Sequence, residues 1–192
     1  MTKPGVRRSA GSGRSEPVEP RSPQSEVASQ PPDGRAEPAP TPTQVAIALG
    51  SNVGDRERHL RHAVDRLSAI LTSVRVSPFI ETEPQGVGPQ PAFLNGALVG
   101  DSRLNARELL GVLQAIERDR GRERPYAGAP RTLDLDLVLF GAEIIDEPGL
   151  EVPHPRFRER AFVLQPLASI AATMTDPVTG LAVGELLRRI MR

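Results

Sequence analysis

Asp134 and Asp136 stand one residue apart in GAPRTLDLDLVLFG, Gly128 to Gly141, a run dominated by leucine. A carboxylate is costly to bury, so two of them in such a segment call for a use. Side chains alternate across a strand. Leu133, Leu135, Leu137 and Leu139 then line one face, and Thr132, Asp134, Asp136, Val138 and Phe140 line the other. The two carboxylates become same-face neighbours, roughly 7 Å apart at the backbone. Both are ionised at neutral pH, and they repel unless something cationic lies between them. Arginine could serve. So could Mg²⁺, which prefers oxygen ligands and commonly uses one or two carboxylates plus substrate phosphates. For Asp-Leu-Asp taken alone, a solvated strand face is the alternative.

The neighbours favour phosphate chemistry. Arg118, Arg120, Arg122 and Arg124 lie just upstream, and Arg131 directly precedes the motif. Guanidinium forks beside paired carboxylates suit a polyphosphate carried with its metal. The earlier turn LGSNVGD could cradle phosphate through backbone N–H groups. It lacks the Lys-Ser/Thr of a P-loop, and a plain strand-to-helix turn reads as well. His154, in VPHPR, has no second histidine at ligand spacing.

The elements that position these residues follow from periodicity. Val45, Ile47 and Leu49 alternate with small residues as in a strand covered on both faces. After the turn, Asp55 suits a helix N-cap, and Leu60, Ala63, Val64, Leu67, Ile70 and Leu71 follow at helical spacing. SVRVSPFIET reads as a second strand, PQGVGPQP as a loop and AFLNGALVG as a third strand. A second helix starts near Asn105, with Leu109, Leu110, Leu113 and Ile116 on one stripe; TLDLDLVLF is the fourth strand. The order is the split βαββαβ of ferredoxin-like folds. We expect an α+β sandwich with a mostly antiparallel sheet, helices on one face, and a C-terminal extension ending in a helix near Val183 to Met191.

Composition bounds the rest. Nine of the 20 prolines lie in residues 1–43, a segment with no aromatic, six basic and five acidic residues. It buries too little to offset chain entropy and reads as a disordered tether. Residues 44–192 then form one domain. The formal net charge is zero, which gives no support to a nucleic-acid or anionic-membrane partner. The absence of cysteine excludes disulfides, Cys-ligated zinc and a thiol nucleophile. No apolar run is long enough to span a bilayer, and the first residues lack the apolar stretch of a secretory signal. A cytoplasmic monomer is expected.

ALGSNVGDR, FLNGA, IERDRGRER, PRTLDLDLVLFG and VPHPRFRERAFVLQPL occur in this order. Together they resemble the 6-hydroxymethyl-7,8-dihydropterin pyrophosphokinase family of folate synthesis, from about Val45 to the C-terminal helix. That family transfers pyrophosphate from ATP to the pterin hydroxymethyl group and releases AMP. The resemblance implies that Asp134 and Asp136 hold two Mg²⁺ ions on the ATP phosphates. It implies that Arg122 and Arg131 stabilise charge near those phosphates. Gln114, Glu117, Arg124, His154 and Arg160 match positions on the nucleotide side. Phe93 and Phe162 match two aromatics that sandwich the pterin, Asn95 the residue that hydrogen-bonds its edge, and Thr82 with the loop to Gln90 the backbone around it. Departures occur in the stretch RPYAGAPR, which lacks the usual Trp and offers Tyr126 instead, in Pro155 after the histidine, and in Gln85 and Val87. Competing readings are another Mg²⁺-dependent phosphotransferase and a ferredoxin-like RNA-binding module. The two aspartates on the ligand face count against RNA.

Overall fold

A computed structural model describes residues 41–84, 89–121 and 129–192, all in the unit Ala39–Arg192. Residues 1–40 of the N-terminal tail, Gln85 and Val87, Arg122, Arg124 and Tyr126 lie outside the described residues. β1 (Thr43–Ser51) leads into α1 (Arg56–Ser68), β2 (Thr72–Val76), β3 (Ile80–Thr82), β4 (Phe93–Ser102), α2 (Ala106–Asp119) and β5 (Asp134–Phe140). The hairpin β6 (Ile145–Glu147) and β7 (Leu150–Val152) follows, then a 3-10 turn (Phe157–Glu159), α3 (Ala161–Ala171) and α4 (Val183–Ile190). The main sheet runs β2-β4-β1-β5, with β3 also pairing β4, and every pair is antiparallel. This is the ferredoxin-like order expected from the split pattern.

The helix starts are set locally. The Asp55 side chain accepts from Arg58 N–H at 3.0 Å. Asn105 and Glu108 form a reciprocal capping box, both bonds at 2.9 Å. Val45, Ile47, Leu49, Leu135 and Leu137 pack under Leu60, Ala63 and Leu67 of α1 and Leu109, Leu113 and Ile116 of α2. Leu110 and Val64 are only partly buried, and Ile70 lies past the end of α1, largely exposed.

Three expectations are corrected. Helices cover both faces of the sheet, not one. Ala46, Ala97, Val99 and Val138 pack against Leu164 and Leu167 of α3 and Leu186 of α4. The helix α3 (AFVLQPLASIA) lies against the sheet on one side and α4 on the other. It needs little polar face, so the amphipathic stripe that would announce it is weak.

The second strand is split. Pro78 has no N–H to give to β4, and Ser77 compensates next to it. Ser77 N–H donates to the Ala97 carbonyl, and Ala97 N–H donates to Ser77 Oγ, both at 2.9 Å. Phe79 then lies across Gly96, where a Cβ would come within 2.7 Å of its ring.

The alternation in β5 breaks at a bulge. Ala46 pairs Leu139 and Ile47 pairs Leu137, so Val138 is the extra residue. Beyond it the faces swap: Leu139 joins the α3–α4 side, and Phe140 joins the α1–α2 side. Asp134 and Asp136 precede the bulge and keep their shared face. No helix among the described residues is long and apolar enough to cross a membrane.

Candidate active site

On the sheet face shared with α3, the α3–α4 layer covers the region around Ala46, Val99 and Val138. The other end of that face carries the candidate residues. Gly50 of β1 pairs Asn95 on one side and Asp134 on the other, and Ala48 pairs Ala97 and Asp136. The small residues of the central strand leave a low floor between Asn95 and the two aspartates. A Cβ at Gly50 would lie 3.1 Å from Asn95 Oδ1 and 3.8 Å from Asp134 Cβ.

Each carboxylate has a cation beside it. The Arg131 guanidinium pairs with Asp134 Oδ2. Asp136 Oδ2 has Arg160 Nη1 at 3.8 Å and His154 Nε2 at 3.7 Å, both longer than hydrogen bonds. The bulge helps bring His154 there, because the Val138 carbonyl accepts from His154 N–H at 3.0 Å. His154 Nδ1 accepts from Arg156 N–H at 3.1 Å, which leaves Nε2 to carry the ring proton toward Asp136. Burial, then the nearby Arg160, pushes the imidazole pKa below its ordinary value, so the ring is neutral at pH 7.

Glu117 is buried, and its Oε1 accepts from Leu135 N–H at 2.7 Å. Leu135 separates the two aspartates on edge strand β5, so Glu117 anchors the backbone that carries both. Gln114, one turn earlier on α2, is exposed. Arg131 Nη1 and the two aspartates thus sit over a strand held from below by α2.

The opposite rim is aromatic and neutral. Phe93 is two residues before Asn95 on β4 and pairs Thr82 of β3. Asn95 Nδ2 donates to Thr82 Oγ1 at 2.7 Å, fixing the amide plane. Phe162, in the first turn of α3, lies with its ring centroid 5.6 Å from the Arg160 guanidinium carbon. α3 packs across β4 and β3, so the two phenylalanines come from two layers.

Two tie residues are missing from the sequence reading. Asn52 is buried, with its side-chain Oδ1 accepting from Arg131 N–H at 2.7 Å and its Nδ2 donating to Gln90 Oε1 at 2.9 Å. Its backbone N–H donates to the Arg131 carbonyl at 3.0 Å. The Asn52 side chain and main-chain N–H are therefore already occupied within the chain. Arg56 donates to the Ala92 carbonyl and to Glu81, both at 2.7 Å. The signal was a polar residue inside LGSNVGDR, but its partners are 25 to 79 positions away.

Among the described residues no three or more His, Asp or Glu side chains gather as a metal cage. The donor set still fits Mg²⁺: two hard carboxylates on an accessible face, with coordination left for phosphate oxygens. Sheet order, acidic pair and flanking arginines define a ferredoxin-like sandwich with a sheet face suited to metal-bound phosphates. The chain belongs to the 7,8-dihydro-6-hydroxymethylpterin-pyrophosphokinase (HPPK) family, whose model matches residues 46–172. It is 48% identical over 135 residues to the 2-amino-4-hydroxy-6-hydroxymethyldihydropteridine pyrophosphokinase of Bacillus subtilis, covering 69% of this chain and 81% of that one. With the enzyme of the same name from Pseudomonas aeruginosa it shares 42% over 136 residues, 70% of this chain and 84% of that one. The solved structure of wild-type Plasmodium falciparum HPPK-DHPS shares the fold, with a TM-score of 0.61 at 13% identity. That match covers 77% of this chain and 44% of the Plasmodium chain, so this chain spans less than half of it.

Proposed function

We propose that this protein transfers pyrophosphate from ATP to 6-hydroxymethyl-7,8-dihydropterin and releases AMP, a step of folate synthesis. The observation that carries the reading is the Asp134–Asp136 pair on one sheet face, flanked by Arg131, Arg160 and His154. The family match supplies the substrates. Asp134 and Asp136 would hold the two Mg²⁺ ions. When bound, the metal neutralises phosphate charge.

The chain's own residues do the positioning. Arg131 and Arg160 meet the phosphate oxygens as charged forks, and His154 offers its Nε2–H. The family likeness assigns Glu117 and Gln114 to the nucleotide. Arg122 and Arg124 complete the basic set. Phe93 and Phe162 take the two faces of the flat pterin. Asn95 reads its edge with a donor and an acceptor, next to Thr82. The pterin hydroxyl oxygen bonds to the β-phosphorus as the bond to the AMP oxygen breaks. Orientation and charge neutralisation carry the rate. The enzyme works in the cytoplasm as a monomer on these two small molecules.

The direct test incubates the full chain with ATP, Mg²⁺ and the pterin. AMP together with a diphosphorylated pterin is the expected product pair; ADP instead would mean phosphoryl transfer and overturn the reading.

The floor gives a finer test. Gly50 is not in the left-handed region, so its backbone accepts alanine. The added methyl would meet the Asn95 amide at 3.1 Å. Gly50→Ala is expected to weaken pterin binding about tenfold, the size of one hydrogen bond, with MgATP affinity unchanged. Fluorescence titration with the pterin measures it, and unaltered affinity would remove Asn95 from the pterin site.

A further inference from the structure

Asp176 has no exposed surface, and its charge takes no part in the chemistry above. Four donors satisfy the carboxylate. Oδ2 accepts from Arg158 Nε at 2.7 Å and from Thr179 Oγ1 at 2.5 Å. Oδ1 accepts from Arg158 Nη2 at 2.7 Å and from Val178 N–H at 3.2 Å. Burial alone would push this carboxyl up, but the bonds from Arg158, Thr179 and the Val178 amide outweigh it and hold it below the usual carboxylate range.

Both ends of the clamp are fixed. The bend that carries Asp176 closes on itself, with Asp176 N–H donating to the Leu181 carbonyl at 2.9 Å and Gly180 N–H to the Asp176 carbonyl at 2.8 Å. At the other end Arg158 is the middle residue of the 3-10 turn, its guanidinium 4.8 Å from the ring centroid of the fully buried Phe157. Arg160 follows this turn directly, its N–H donating to the Phe157 carbonyl at 3.2 Å. It is also the residue that starts α3, and it makes no side-chain cap there. From that point its side chain runs past Phe162 to Asp136.

An ion pair with one partner fully buried is a poor device for stability alone, since apolar residues of similar volume often serve as well. Its planar fork does fix geometry. We propose that Asp176 is a positioning residue: through Arg158 it holds the 3-10 turn so that the Arg160 guanidinium stands at Asp136 and the nucleotide phosphates. The identity of that ligand rests on the pyrophosphokinase reading. Asp176 and Thr179 lie beyond residues 46–172, the part that matches the family.

The test is a double-mutant cycle on the full chain. MgATP affinity by calorimetry and melting temperature are measured for wild type, D176N, R160A and the double variant. D176N is expected to weaken MgATP about tenfold in the wild-type background and less than about twofold once Arg160 is alanine. R158K keeps the charge but loses the fork. Its own cycle with R160A is expected to show the same coupling at smaller size, and it decides the matter should D176N not fold. Equal losses in both backgrounds, or unchanged affinity in a folded D176N, would overturn the proposal. AMP formation by the wild-type preparation reports separately. Coupling without AMP overturns the pyrophosphokinase reading and leaves the clamp standing; a wild-type chain that binds no MgATP overturns both.

Discussion

Asp136→Ala is expected to give a folded protein with turnover reduced about a thousandfold or more, the scale of several kcal/mol of lost charge stabilisation. The side chain is 35% exposed, and it stands beside Ala48 with the longer contacts to His154 and Arg160. Truncation therefore removes little packing. What it removes is one of the two carboxylates proposed to hold Mg²⁺, and the acidic neighbour of Arg160. The melting temperature should move little while kcat collapses. Asp136→Asn should behave the same way, because the amide keeps the shape but not the charge. Titrating Mg²⁺ separates the causes: a variant restored by high Mg²⁺ has lost affinity, and one that stays slow has lost geometry. Near-normal turnover in a folded Asp136→Ala would remove the metal role from this strand.

The second large effect belongs to Arg131. Its backbone is held on both sides by Asn52, at 2.7 Å through the side chain and 3.0 Å through the main chain. Replacing the side chain should leave that tie intact. Arg131→Ala is expected to lower kcat about a hundredfold to a thousandfold, the usual loss for one donor aimed at developing charge. KM for the pterin should change far less, because Phe93, Asn95 and Thr82, the residues proposed for the pterin, stand on other strands. Arg131→Lys should recover part of the rate only, since an ammonium cannot offer a fork. Single-turnover measurement of AMP release distinguishes these outcomes. An unchanged kcat in Arg131→Ala would place the residue in support of Asp134 alone, not at the phosphates.

Several features were readable before any coordinates. The Asp55 N-cap, the start of the second helix near Asn105, the strand–helix order and the shared face of Asp134 and Asp136 depend on neighbours a few positions apart. Backbone geometry enforces those relations wherever the segment lies. The same rule failed one turn of pleat later. At Val138 the partner strand β1 imposes a bulge, and no local feature of LDLDLVLF announces it. The SVRVSPFIET run carried its own warning in Pro78, but the repair by Ser77 needs Ala97, 20 positions away. α3 is illegible in the sequence for a related reason. Periodicity detects a helix with one wet face, and this helix is covered on two sides.

By itself the sequence determined the first two helices, the strands that flank them, the acidic pair and the motif set that marks the family, because each is written in short-range spacing. Tertiary structure alone decided which cations meet which carboxylate, that Gly50 and Ala48 lie between β4 and the two aspartates, and which partners Asn52 and Asp176 bond. Such pairings are set by strand order and helix placement. They depend on chain closure over tens of residues, so no short window of the sequence contains them.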